Sequence, residues 1–186
     1  MSSFVGYVKG DLFQLTKEPT LKPLLLAHAC NCMGVWGGGI AFAFKQRFTS
    51  AYKIYHKFCT DFRSDPSSLL GKSLLIPVSP RDSGFVKGAG EKLLIVCLFT
   101  SVMGEESAHE IATNTKNALL DLKKQLADPT LVYDKTARSI VEGYESKTEE
   151  LTVNMPKINA GIFGVPWELT ENALKSSGLP CRVFVL

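Results

Sequence analysis

Long apolar runs, blocks of like charge and paired metal-ligand clusters are all missing from this sequence, and each absence removes a class of function. No stretch approaches the roughly 18 to 20 apolar residues that a bilayer-spanning helix needs, so no membrane partner is expected. Met1-Ser2-Ser3-Phe4 shows no basic segment followed by an apolar core, and no secretory signal is expected. No run of five or more Lys/Arg occurs, and a formal net charge of +3 is too small for the electrostatic footprint of a nucleic-acid binder. The five cysteines (Cys30, Cys32, Cys59, Cys97 and Cys181) are odd in number and sit mostly among apolar residues. That usage fits a reduced, intracellular compartment better than a disulfide framework, so a cytoplasmic protein, present in the nucleus as an alternative, is expected. Cys30-x-Cys32 lacks a second Cys/His pair at ligand spacing, so neither a metal nor a cofactor is expected.

What remains is an ordinary globular composition: 186 residues, 45% hydrophobic and 21% charged, enough chain for one domain with a sizeable core. Short apolar or β-branched segments at Phe4–Lys9, Leu24–Ala27, Leu74–Pro77, Leu93–Phe99, Leu151–Met155 and Arg182–Leu186 predict six strands. Helical patterns lie between them at Ile40–Phe48, Ala51–Phe62, His109–Leu126 and from Glu168 to the terminating Gly178-Leu179-Pro180. Strands separated by helices predict an α/β layered domain with a mostly parallel sheet. Residues 79–92 are read as a flexible connection or loose hairpin, and residues 128–150 as a surface insertion with some helix. The whole chain, 1–186, is taken as a single domain.

Three segments could carry chemistry. His28-Ala29-Cys30-Asn31-Cys32-Met33-Gly34-Val35-Trp36-Gly37-Gly38-Gly39-Ile40 follows a strand and precedes a helix. Consecutive glycines let the backbone approach an anion, and the helix start offers unpaired N–H groups. An isolated triple glycine can equally be a loop that needs positive φ. Pro156-Lys157-Ile158-Asn159-Ala160-Gly161-Ile162-Phe163-Gly164 repeats the strand–glycine loop–helix order, and two such edges would suit a diphosphate. Gly10-Asp11-Leu12 follows the first strand, where the carboxylate either caps a turn or accepts a hydrogen bond from an adenine amino group. Trp36 could wall the cleft or cover the core. His56 reads as a surface histidine, and His109 as part of a helix-cap region.

These segments resemble the macrodomain family. Gly10-Asp11-Leu12-Phe13 is similar to its Gly-Asp-Ile-Thr element. His28-Ala-Cys-Asn31 stands where the family often has Asn-Ala-Ala-Asn, followed here as there by Gly-Gly-Gly-Ile40-Ala41. Asn159-Ala-Gly-Ile-Phe163-Gly resembles the Ser-Thr-Gly-Ile-Tyr-Gly loop. The match runs from residue 5 to the C-terminus, weakest at 79–92 and 128–150. His28, Cys30-Asn31-Cys32, Trp36 and the 158–167 segment look closest to the yeast branch of ADP-ribose 1″-phosphate phosphatases. The resemblance implies a three-layer α/β/α domain with a mixed, mostly parallel sheet. It implies that the ligands are ADP-ribose derivatives and that the reaction is hydrolysis of ADP-ribose 1″-phosphate to ADP-ribose and phosphate, with a place in clearing a by-product of tRNA splicing. It implies that Asp11 contacts adenine, flanked by Gly10 and Leu12, and that Asn31 holds the distal ribose. Ala29, Cys30, Trp36, Gly37, Gly38, Gly39, Ile40 and Ala41 would line the phosphate side. Ile158, Asn159, Ala160, Gly161, Ile162 and Gly164 would clasp the diphosphate, with Phe163 against the ribose. His28, in place of a common Asn, is the expected proton-transfer group, unless it is a core histidine at a strand end. A non-catalytic ADP-ribose reader and a hydrolase that removes ADP-ribose from proteins remain the competing readings. Oligomeric state is not set by the sequence.

Overall fold

Every residue of the strand β4 (Leu93–Ser101) is buried, which places it in the middle of the molecule. The computed structural model describes residues 4–144 and 150–186. Around β4 it arranges β1 (Val5–Lys9), β2 (Leu24–Asn31), β3 (Ser73–Pro77), β5 (Val153–Pro156) and β6 (Cys181–Val185) in the order β1-β6-β5-β2-β4-β3. Only the β3–β4 pairing is antiparallel; the other four are parallel, so the expected mixed, mostly parallel sheet is present. A sheet buried on both faces needs apolar residues of both parities, which is why β2 and β4 read as continuous apolar runs.

Alternation along β2 assigns the two faces. Leu25 and Ala27 join one core cluster with Leu119, Leu122 and Leu174, from the helices α3 (Ala108–Ala127) and α5 (Trp167–Ser177). Leu26 and Cys30 join the other with Phe44, Ala51 and Tyr55, from α1 (Gly39–Arg47) and α2 (Thr49–Asp61). Each fully buried leucine on these faces contributes about 1.5–3 kcal/mol. The result is the three-layer α/β/α sandwich.

Helix ends follow local chemistry. The Ser107 hydroxyl accepts from the Glu110 N–H at the start of α3, and Gly178 adopts φ +77° to stop α5. Residues 79–92 form no hairpin among the described residues. Their turns are tied down instead, with Asp82 accepting from the Ser50 and Ser79 N–H groups and Gly84 N–H donating to the Arg47 carbonyl. The helix expected within 128–150 is α4 (Lys135–Glu142), but it is not a mere surface appendage. Val132, Ala137 and Val141 are buried in the first core cluster. Residues 145–149 of that segment lie outside the described residues.

Candidate functional site

The sheet delivers four connections to one end: the turn after β1 and the loops after β2, β4 and β5. Two connected hollows open there. The larger, about 520 Å³, is lined by Ala29, Cys30, Asn31 and Trp36 to Ala41, and across from them by Ile158, Asn159, Gly161, Ile162 and Phe163. The smaller, about 420 Å³, is lined by Gly10, Asp11 and Leu12 with the C-terminal Phe184, Val185 and Leu186. Ile40, Pro156 and Lys157 belong to both, so the hollows share a wall.

The β2 loop is held from below. The register against β4 shifts between Cys30 and Asn31, so that Asn31, the last residue of β2, pairs with Ser101. Its Oδ1 then accepts from the N–H groups of Met33 (3.1 Å) and Val35 (3.2 Å) and from the Tyr55 hydroxyl (3.0 Å), while Nδ2 donates to the Val35 carbonyl at 2.7 Å. Burial pushes the Tyr55 phenol well above its ordinary pKa, which keeps it a donor. Tyr52 and His56 both reach the Gly34 carbonyl at 3.0 Å, so His56, exposed as expected of a surface histidine, also braces the loop. At Gly34, φ is +79° and an added Cβ would lie 3.3 Å from the Cys59 Cβ, which leaves room only for glycine. Asn31 therefore shapes the loop as well as lining the cavity, with one amide hydrogen left for a ligand.

The β5 loop hangs on Asn159, a buried residue at φ +64°. Its Oδ1 accepts from Thr100 Oγ1 at 2.9 Å, and Nδ2 donates to Thr115 Oγ1 at 2.9 Å and Thr170 Oγ1 at 3.4 Å. Val165 N–H closes the neck on the Asn159 carbonyl at 2.9 Å. The Asn159 side chain thus belongs to the scaffold, and only its backbone faces the cavity. Among the described residues, the amides of Gly37, Gly38, Ile162 and Phe163 donate to no protein acceptor. These are unspent donors on facing edges of one cavity, the arrangement that binds phosphate oxygens. A Cβ on Gly38 would lie 3.3 Å from Ile162 Cδ1, so the two edges nearly meet.

A third wall comes from the turn after β4. There Met103 lines the cavity and Gly104 packs beside the Phe163 ring. The Glu106 carboxylate holds this turn by accepting from the Ser101 hydroxyl and from the Val102 N–H at 2.9 Å. Burial works against its charge, but these hydrogen bonds outweigh it and hold its pKa below the usual carboxylate range. In the smaller hollow, Asp11 Oδ1 accepts from Phe13 N–H at 2.9 Å, the turn cap, while Oδ2 makes no hydrogen bond to the described residues. Capping and ligand contact are thus compatible.

One sequence expectation is corrected. His28 is fully buried and outside the cavity lining. It lies within β2, one face of its ring stacked on Phe44 at 4.4 Å between centroids, with Trp36 edge-on at 4.8 Å. With no exposed face and no place in the cavity lining, it has the setting of a core histidine. Ala160 and Gly164 are exposed and stand beside the lining residues Asn159, Gly161 and Phe163 without lining the larger hollow themselves. Trp36 both covers the core, at 1% exposure, and floors the cavity. The sequence reading missed Val35, Met103, Pro156, Lys157 and the 184–186 terminus as lining. His109, exposed in the first turn of α3, lines neither hollow.

His28, Cys30 and Cys97 bring potential metal-ligand atoms within 4.8 Å of one another. The Cys30 sulfur, however, is nearly equidistant from both His28 ring nitrogens, 3.7 and 3.6 Å. An in-line partner lies much nearer one nitrogen than the other, so the sulfur sits over the ring face and no imidazole lone pair points at it. The cluster is packing.

Known proteins resemble this chain. A chain from Debaryomyces hansenii named ADP-ribose 1″-phosphate phosphatase is 46% identical, covering 98% of this chain and 99% of that one. Chains with the same name from Candida albicans (38%, 98% and 99% covered) and Saccharomyces cerevisiae (37%, 93% and 92% covered) are also similar. Among solved structures, the macrodomain of Mycobacterium tuberculosis DarG superposes with a TM-score of 0.63 at 20% identity, covering 99% of both chains. Thermosipho africanus DarTG in complex with ADP-ribose superposes at 0.61 and 16% identity, covering all of this chain and 43% of that one. A family model described as Macro domain matches residues 27–174. With the sheet order, the two glycine-bearing edges and this match in agreement, the chain belongs to the Macro domain family.

Proposed function

We propose that this chain is an ADP-ribose 1″-phosphate phosphatase, hydrolysing the 1″-phosphomonoester to ADP-ribose and inorganic phosphate. The observation that carries the reading is the pair of joined hollows with unspent backbone amides on facing edges. Adenine lies in the smaller hollow with its amino group toward Asp11. The diphosphate crosses the shared wall, and the distal ribose and its phosphate occupy the larger hollow between the Gly37–Gly39 edge and Phe163. The full-length likeness to relatives bearing that name supports the same reaction.

Among the described lining residues, no carboxylate or imidazole faces the larger hollow. Catalysis then rests on orienting the terminal phosphate and on amides placed where negative charge develops, with water as nucleophile. Binding at the adenosine end supplies the energy for that orientation. By the same reading the protein acts in the cytoplasm on a by-product of tRNA splicing.

The test is phosphate release from ADP-ribose 1″-phosphate. Turnover is expected. Tight ADP-ribose binding without turnover would make the chain a reader, and loss of ADP-ribose from a modified protein without phosphate release would make it a protein-directed hydrolase.

A further inference from the structure

Charge is sparse around the two hollows. Of all the side chains lining them, one is cationic, Lys157, and one is anionic, Asp11. Asp11 lines only the smaller hollow, whereas Lys157 lines both. A ligand that spans the hollows must place its middle against the wall they share, formed by Ile40, Pro156 and Lys157. In an ADP-ribose derivative that middle is the diphosphate.

Lys157 is also held in place. It follows Pro156 at the end of β5, and its Nζ stands 5.6 Å from the centre of the Trp167 ring. That is the outer part of the cation–π range, close enough to orient an ammonium without satisfying its three N–H donors. Trp167 is fixed in turn: its Nε1 donates to the Tyr7 hydroxyl at 2.8 Å, and that hydroxyl donates to Glu171. Among the described residues Lys157 has no carboxylate or hydrogen-bond partner. A pinned, exposed cation with open donors beside an otherwise uncharged passage is a charge reader waiting for an anion.

We propose that Lys157 determines specificity by pairing with the diphosphate of the ligand, so that affinity for the diphosphate depends on a side chain as well as on backbone amides. The lysine is a compact point charge that tracks either phosphate, and its pairing is screened by salt. It stands on the wall the two hollows share, so it is a positioning residue and acts on binding, not on the chemical step. The inference rests on the ADP-ribose reading of the site.

The test compares the wild-type chain with Lys157→Met, which keeps an unbranched apolar stem and removes the ammonium, and with Lys157→Arg. ADP-ribose and adenosine binding are titrated by calorimetry across a range of salt, and KM and kcat are measured for ADP-ribose 1″-phosphate. Lys157→Met is expected to weaken ADP-ribose binding about tenfold at low salt, flatten its salt dependence, and raise KM with kcat held. Adenosine binding is expected to stay the same, and Lys157→Arg to restore most of the affinity. Unchanged ADP-ribose affinity and salt dependence in Lys157→Met overturns the proposal. Equal losses for adenosine also overturn it, since they would mark a packing role, and so does a fall in kcat alone. A wild-type chain that binds ADP-ribose but releases no phosphate defeats the phosphatase reading and leaves Lys157 to be judged on binding.

Discussion

Replacing His28 with alanine separates a structural histidine from a catalytic one, because the two roles predict opposite outcomes. The ring is fully buried, with Phe44 stacked on one face and the Cys30 sulfur near it. Deleting it leaves a void in the second core cluster, and large-to-small changes at such sites cost about 2–4 kcal/mol. For a domain of this size each kcal/mol lowers the melting temperature by about 2–4 °C, so a fall of roughly 5–15 °C is expected by calorimetry. Turnover is to be measured at a temperature where the variant is fully folded. There kcat for ADP-ribose 1″-phosphate should stay within about twofold of wild type, whereas loss of a general acid or base costs about 10²–10⁴-fold. His28→Phe keeps a flat ring against Phe44, carries no titratable group and should also retain turnover. A His28→Ala protein that melts like the wild type yet loses about a hundredfold or more in kcat would refute the burial argument.

Other perturbations probe the loops. Asn31→Ala strips acceptors from the Met33 and Val35 amides, so ADP-ribose affinity measured by calorimetry should fall about tenfold or more, with about 1–3 kcal/mol lost in denaturant unfolding. Asp11→Ala should erase the preference for an adenine over a hypoxanthine ligand and cost about 1 kcal/mol of cap energy, while Asp11→Asn keeps the cap and its stability. Glu106 has its pKa depressed in the folded state, so its contribution is present above the unfolded value of about 4.3 and is lost as pH falls through the folded one. Acid unfolding followed by fluorescence should therefore be less steep in Glu106→Gln than in the wild type.

Much of this architecture was legible in the sequence because its signals are local. The apolar runs of β2 and β4, the glycine stop of α5 and the strand–glycine–helix order of both loops each have a short-range cause. What failed was the end of β2. Its apolar run stops at Ala27, but the strand continues through Asn31 because Cys97, Leu98 and Phe99 on β4 keep pairing with it. Four more residues of strand turn His28 from a loop residue into one sharing the inward parity of Leu26 and Cys30. The pairing that decides this is long-range, and no property of His28 itself announces it. Lys157 was overlooked for a related reason. A lone lysine is unremarkable in sequence, and it matters only because two hollows, each built from segments far apart in the chain, meet beside it. The 128–150 segment misled by composition, since its charged majority hides the three apolar residues that close the core.

The buried amide of Asn159 ties the β5 loop to β4, α3 and α5 at once. Moving that loop would mean breaking several buried hydrogen bonds together, so its shape is settled when the chain folds rather than when a ligand arrives. The ordering entropy of this edge is then charged to folding, and a bound phosphate meets donors already aimed. Complex formation should accordingly be fast and close to rigid-body along this edge, with affinity differences among ligands expressed in how long they stay.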